Sequence, residues 1–239
     1  MLEVLDLTVF YRENWAVRNV SFTLHSGQVT SLLGPNGAGK STIIKAMLGL
    51  IPTFKGIVKF ENQPLIKQLS KVAYVPQRSQ IDWDYPITVG RVVMMGRIRQ
   101  TGWLRKPSRQ SREIVTTALK RVSMLEYHNC PIGALSGGQQ QRVFLARALA
   151  QEADILFFDE PFTGVDKKTE GIIFDIFTEL KLQQKTLLVI SHDLGETLNN
   201  YDHFLLLNRQ LIAAGNKLEV LTRENINKAY GQGLNLITA

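Results

Sequence analysis

Val29-Thr30-Ser31-Leu32-Leu33, which reads as a buried strand, passes directly into Gly34-Pro35-Asn36-Gly37-Ala38-Gly39-Lys40-Ser41-Thr42 and then into Ile43 to Leu50, which reads as a helix. The nine central residues fit the pattern G-x-x-x-x-G-K-[ST], and buried strand, glycine-rich loop and helix is the setting that gives the pattern meaning. Glycines let successive backbone N–H groups turn inward on an anion with no Cβ in the way. The helix start adds a partial positive charge at the same place. Lys40 can reach the outer phosphates of a nucleoside triphosphate as a point charge, and the Ser41 hydroxyl can ligate Mg²⁺. The plain alternative is a glycine-rich turn capped by a lysine, and the flanking strand and helix argue against it. Gly34 to Thr42 is therefore expected to hold a nucleoside triphosphate.

A chain of 239 residues with 44% apolar content allows one sizeable α/β core with room for an insertion. No window carries the uninterrupted apolar run that a membrane helix needs. Met1-Leu2-Glu3-Val4 has neither the basic nor the apolar part of a secretion signal. The single cysteine, Cys130, excludes an internal disulfide and agrees with a reducing, cytoplasmic setting. The formal charge of +7 is uneven: residues 91–121 hold nine Lys or Arg against one acid, Glu113. A solvated basic face, attraction to anionic lipid headgroups and nucleic-acid binding would each account for it, and without a recognised binding motif the last is the weakest.

Leu2 to Tyr11 and Val17 to His25 alternate apolar and polar residues as half-buried strands do, with a turn around Arg12-Glu13-Asn14 between them. An antiparallel β subdomain is thus expected ahead of the loop. Tyr11, at the end of the first strand, can stack on a purine base or simply fill a sheet face. Gly56 to Phe60 and Val72 to Val75 read as strands, the second running into Pro76-Gln77. From Arg78 to Pro131 the pattern looks helical, with Val89 to Arg97 and Ser108 to Met124 clearest and Gly102 to Pro107 as a loop. Residues 78–150 are read as a helical subdomain inserted in the α/β core. Leu135-Ser136-Gly137-Gly138-Gln139 opens a further helix with an N-cap serine and two glycines, a second helix start suited to an anion.

Ile155 to Phe158 and Leu187 to Ile190 are continuous apolar runs, as expected of parallel strands covered on both faces. The first ends in Asp159-Glu160-Pro161, the second in Ser191-His192-Asp193. Phe204 to Leu207 and Leu211 to Ala213 read as a last strand pair, and a short helix follows around Asn225 to Tyr230. In open α/β sheets ligands gather beyond the carboxyl ends of the strands. The glycine loop, Gln77, Asp159-Glu160 and Ser191-His192 all follow strands in that way. Phosphoryl-transfer chemistry then assigns roles. Asp159 is expected to hold Mg²⁺, directly or through water, and Glu160 is the candidate general base for the attacking water. Gln77 can touch both the Mg²⁺ and the water, and His192 can donate to the γ-phosphate.

Together and in this order, these elements resemble the nucleotide-binding subunit of ATP-binding cassette (ABC) transporters. The loop at Gly34 to Thr42, Gln77, Leu135-Ser136-Gly137-Gly138-Gln139, Ile155 to Pro161, Gly164-Val165-Asp166 and Ser191-His192 all match, over nearly the whole chain. One departure is visible: a loop often written S-A-L-D in that family reads Thr163-Gly164-Val165-Asp166 here, with the aspartate kept. The resemblance implies an α/β P-loop NTPase (RecA-like) core, ATP with Mg²⁺, and two copies packed head to tail. ATP on Lys40 of one copy would meet Ser136, Gly137, Gly138 and Gln139 of the other, with Asp166 nearby. It further implies integral membrane permease subunits, a peripheral place on the cytoplasmic face of the membrane, and no nucleic acid. The alternative is a cassette ATPase acting on nucleic acid or ribosomes. Such proteins usually carry two cassettes or a long coiled-coil insertion, and neither is seen.

Arg78 to Val89, Met95-Gly96-Arg97, Thr101 to Leu104 and Pro161 to Asp166 look like the manganese, zinc and chelated-iron uptake branch of that family. That implies an extracytoplasmic substrate-binding protein as a further partner. The metal would be cargo for the partners. His128 and Cys130, the only soft-ligand pair, have no further ligand nearby in sequence and read as a surface turn.

Overall fold

The computed structural model describes residues 1–11, 14–102 and 105–231. The expected turn at Arg12-Glu13 and the Trp103-Leu104 part of the expected loop lie outside those residues. The elements begin with β1 (Leu2–Tyr11), β2 (Asn14–Leu24), β3 (Gln28–Leu33), α1 (Lys40–Met47), β4 (Lys55–Phe60) and β5 (Gln63–Pro64). Next come β6 (Val72–Val75), α2 (Val89–Met94), α3 (Ile98–Thr101), α4 (Arg109–Arg121), α5 (Gly137–Ala150), β7 (Ile155–Asp159) and α6 (Lys167–Leu182). The chain closes with β8 (Thr186–Ile190), β9 (His203–Asn208), β10 (Gln210–Gly215), α7 (Lys217–Val220) and α8 (Arg223–Tyr230). They form two compact units, one of residues 1–69 with 180–239, the other of residues 70–179.

The first unit holds two sheets. One is antiparallel, in the order β2-β1-β4-β5, as the alternation in the N-terminal strands predicts. In the other, β3 lies between β8 and β9 and runs parallel to both, and β10 folds back antiparallel on β9. Every residue of β8, and all of β3 after Gln28, is buried, which explains the unbroken apolar run of β8; in β3 the small polar Thr30 and Ser31 are buried among the apolar residues. Helix α1 starts at Lys40, three residues before the expected Ile43. Gly39, in the left-handed region, serves as its N-cap, so the last residues of the motif already belong to the helix. Helix α8 covers the expected C-terminal helix.

The second unit pairs β6 with β7 in parallel and surrounds them with helices. All five residues of β7 are buried, and Phe158 packs its ring 4.8 Å from that of Phe177 on α6. Burial of one such ring contributes about 1.5–3 kcal/mol. The expected helical stretch from Arg78 is interrupted: only a short 3₁₀ turn, Arg78–Gln80, precedes an irregular segment that reaches Thr88. Asp82 Oδ1 accepts the Asp84 N–H at 3.1 Å and Pro86 has no donor, so the local hydrogen bonds favour turns. Thr88 then bridges to Pro131. The basic stretch is partly internal. Arg97 is buried, donating to the Ala150 carbonyl at 2.9 Å and to Glu152 at 2.6 Å, and Arg121 pairs with Glu179 at 2.7 Å.

Candidate functional site

In the first unit β3 delivers the glycine loop. Gly34 has φ of 152°, and a Cβ there would lie 2.1 Å from the Leu207 carbonyl oxygen on β9. Only glycine lets the loop leave the sheet so closely against its neighbour. The Arg209 N–H donates to the Ala38 carbonyl at 2.9 Å, and Ala38 N–H to Pro35 at 3.1 Å, so the loop is braced from outside and within. The Lys40 side chain is buried and folds back over the loop. Its ammonium donates to the carbonyls of Gly34 at 2.6 Å and Pro35 at 3.0 Å. A cation is thus held directly above the backbone that the sequence assigns to phosphate.

The register of β3 with β8 pairs Leu32 with Ile190. Gly34 and His192 each follow that pair by two residues, so the sheet brings both to one edge. Ser191 is buried and donates its N–H to the Leu32 carbonyl at 3.2 Å, while His192 beside it is exposed. Asp193 orders the turn beyond, accepting from the Gly195 N–H at 2.8 Å and the Thr197 hydroxyl at 2.9 Å. Tyr11 is exposed at the end of β1, next in sequence to Phe10, whose ring meets Trp15 at 4.8 Å.

In the second unit the β6–β7 register pairs Val75 with Phe158 and carries Gln77 and Glu160 to equivalent places two residues on. Gln77 Nε2 donates to Glu160 Oε2 at 2.7 Å, and the Thr163 hydroxyl donates to the same oxygen at 3.2 Å. Glu160 itself has φ of 51°, left-handed and uncommon for a glutamate. Such a conformation costs on the order of 1–3 kcal/mol, and it aims the side chain away from the path of the strand. Asp159 is fully buried, and the Tyr74 hydroxyl on β6 donates to its Oδ2 at 3.3 Å. Burial, with the nearby Asp159 charge and that hydrogen bond, pushes the Tyr74 phenol well above its usual pKa, so it stays a donor.

Ser136 caps α5 as its sequence suggests. Its hydroxyl accepts the Gln139 N–H at 3.4 Å, and Gln139 Oε1 accepts the Ser136 N–H at 2.8 Å, a reciprocal capping box. Asp166 Oδ1 accepts the Thr169 N–H at 2.7 Å, a bond that lowers the Asp166 pKa below the usual carboxylate value. It therefore caps the start of α6.

Tyr74 and Arg78 join the site though the catalytic motifs do not name them, and Thr163, which opens the loop that departs from S-A-L-D, joins it through its bond to Glu160. Tyr74 had a usable signal: it pairs with Phe157 in a parallel ladder, and Asp159 lies two residues on, on the same face. Arg78 reaches Gln140, 62 positions away, and no local pattern carries that. Among the described residues no group of three or more His, Cys, Asp or Glu is arranged to hold a metal ion, and no helix is long and apolar enough to cross a membrane.

A family profile described as ABC transporter matches residues 17–163. The manganese transport system ATP-binding protein MntB of Halalkalibacterium halodurans is 46% identical, covering 96% of this chain and 92% of that protein. The zinc transport system ATP-binding protein TroB of Treponema pallidum is 45% identical, covering 96% of this chain and 86% of that protein. A solved dimeric ATP-binding cassette in a post-hydrolysis state, bound to ADP and Pi, is 26% identical with a TM-score of 0.79, covering 90% of this chain and 98% of that one. The mixed α/β architecture is that of a P-loop NTPase, and the chain belongs to the ABC transporter family as one of its ATP-hydrolysing, ATP-binding subunits.

Proposed function

We propose that this chain is the energy-coupling ATPase of an importer for a divalent transition metal, manganese first and zinc or iron next. The observation that carries the cargo is the near full-length identity to MntB, named for manganese transport, with TroB, named for zinc, close behind. The metal is the cargo of the partner subunits and is not assigned to this chain.

The roles assigned to the residues are these, and the contacts within each unit support those of Glu160 and Gln77. Gly34, Pro35, Asn36, Gly37, Ala38, Gly39, Lys40, Ser41 and Thr42 cradle the phosphates of ATP, and Tyr11 stacks on the base. Glu160, aimed by Gln77 and Thr163, takes the proton of the attacking water. His192 donates to the γ-phosphate. In the first unit the Ser41 hydroxyl, and in the second the Gln77 amide oxygen and the Asp159 carboxylate, are hard oxygen donors of the kind Mg²⁺ selects, and the Gln77 amide nitrogen is already engaged on Glu160. Mg²⁺ held by such donors would neutralise charge on the outer phosphates.

Hydrolysis then takes place in a head-to-tail pair, with Ser136, Gly137, Gly138 and Gln139 of the second copy, and its Asp166, meeting the ATP held by the first. The dimeric state of the cassette bound to ADP and Pi supports a paired state. Residues 78–150 act as the helical subdomain that docks on integral membrane permease subunits. The chain lies peripherally on the cytoplasmic face, with an extracytoplasmic binding protein delivering the metal.

The test is the manganese, zinc and iron content of cells lacking this chain, complemented with wild type or with Glu160→Gln. One metal falling, and recovering only with wild type, is the expected result. No change in any of the three under scarcity of each would overturn the cargo.

A further inference from the structure

Beside Gln77, Arg78 is held on three sides. Its Nε and Nη2 both donate to Gln140 Oε1 on α5, at 3.1 and 2.9 Å. Its guanidinium lies across Gly137, where an added Cβ would come 3.0 Å from Cζ. Its cationic carbon is 5.7 Å from the centre of the Trp83 ring, and Trp83 Nε1 donates back to the Arg78 carbonyl at 3.0 Å. Trp83 in turn meets Phe144 on α5 edge-on at 5.3 Å. Gln140 is buried, and its amide nitrogen donates to the Ile132 carbonyl at 3.3 Å, just ahead of the helix. The clamp therefore ties the residue after Gln77 to the first turn of the helix that Ser136 caps.

We infer that Arg78 is a positioning residue for hydrolysis: it couples the start of α5 to Gln77, and through Gln77 to the Glu160 carboxylate. The chain of contacts is continuous, from Gly137 and Gln140 to Arg78, along one peptide to Gln77, and then across 2.7 Å to Glu160. A shift of the α5 start carries the guanidinium with it, because both of its bonds end on one oxygen of that helix. Lysine cannot replace it well: a single ammonium has no fork to lie flat over Gly137 while bonding Gln140. A misplacement near 1 Å of a group that orients the attacking water is enough to slow the reaction by one or two orders of magnitude.

This rests on the reading of Glu160 as general base, and the experiment separates the two. Steady-state phosphate release by the purified full-length chain is measured for Arg78→Ala, Arg78→Lys, Gln140→Met and the double variant Arg78→Ala/Gln140→Met, with thermal unfolding of each. The expected result is a kcat about tenfold lower in Arg78→Ala and Gln140→Met, with KM for ATP within about twofold of wild type. Arg78→Lys falls between, and the double variant is no slower than Arg78→Ala alone, because the two residues act as one unit. Wild-type kcat in either single variant, losses that multiply in the double variant, or a loss that tracks the folded fraction alone would overturn the assignment. Should Arg78→Ala not fold, Gln140→Met keeps the arginine and carries the same comparison. Glu160→Gln is the control for the underlying reading: its loss of hydrolysis stands whatever Arg78 does, and wild-type turnover in it overturns the general base rather than the Arg78 clamp. A wild type with no turnover would overturn the site and the assignment together.

Discussion

Gln77 Nε2 lies 2.7 Å from Glu160 Oε2, joining the residue that ends one parallel strand's path to the residue that ends its neighbour's. The bond is possible because β6 and β7 run in register and because Glu160 turns out of its strand with φ of 51°. A carboxylate fixed by a neutral amide keeps one defined direction, as is needed by a base that must take a proton from water placed in line with a phosphoryl group.

Replacing Gln77 with alanine removes that direction while leaving Glu160 in place. Phosphate release is expected to slow by about 10–100-fold through the lost direction of Glu160, and the KM for MgATP to rise as well, since the Gln77 amide oxygen is also a proposed Mg²⁺ donor. Rapid-quench or coupled-assay kinetics over an ATP series gives both numbers, and an unchanged kcat would detach Gln77 from the reaction.

Tyr74 sets the alkaline limit of stability. Its folded pKa is raised by burial and by Asp159, and Tyr230 is raised by burial as well. Below the usual tyrosine pKa, near 10, both phenols are protonated whether folded or not, and their contribution is fully present. As pH rises above that value the unfolded chain loses protons first, so stability falls through the folded pKa values. Tyr74→Phe removes one titrating group, and its urea midpoint is expected to fall less steeply than that of wild type between about pH 9.5 and 11. Parallel curves would mean that Tyr74 does not titrate as its surroundings require.

Gly34→Ala places a Cβ 2.1 Å from the Leu207 carbonyl oxygen at a φ of 152°. The loop has to leave β9 or distort, at a cost of roughly 1–3 kcal/mol. Lower urea stability together with weakened ATP binding is expected, and a variant with wild-type values in both would show that the loop has slack that the contact denies.

Loss of the Ser136 cap is a milder change. Ser136→Ala removes the hydroxyl that accepts from Gln139 and is expected to cost about 1 kcal/mol of stability. If Ser136 also meets the ATP of a second copy, ATP-dependent dimerisation weakens further than that stability loss accounts for. Sedimentation of the variant with and without ATP distinguishes the two effects.

The strands and loops that carry these residues were readable because their causes are local. The glycines of 34–39 permit the positive-φ backbone that the loop adopts, and the unbroken apolar runs of β7 and β8 are those expected of strands covered on both faces. The start of α1 was misjudged by three residues because Gly39 itself caps the helix, so the motif and the helix overlap. The helical reading after Arg78 failed where Asp82 and Pro86 make turns that hydrophobic spacing does not register. The left-handed Glu160 was invisible, since glutamate has no preference for that region and only the surrounding contacts hold it there. Arg78 and Gln140 meet across 62 positions, and Arg97, in a stretch whose composition suggests a basic face, is buried against Ala150 and Glu152.

The most direct measurement is ATP turnover by the full chain carrying Glu160→Gln, with nucleotide binding and sedimentation measured on the same sample. The amide keeps the shape and cannot take a proton. ATP should still bind, hydrolysis should fall by about 10²–10⁴-fold, and ATP should hold two copies together. Turnover at the wild-type rate would contradict the role of Glu160, and with it the reading of the Gln77–Glu160 contact as the centre of the reaction.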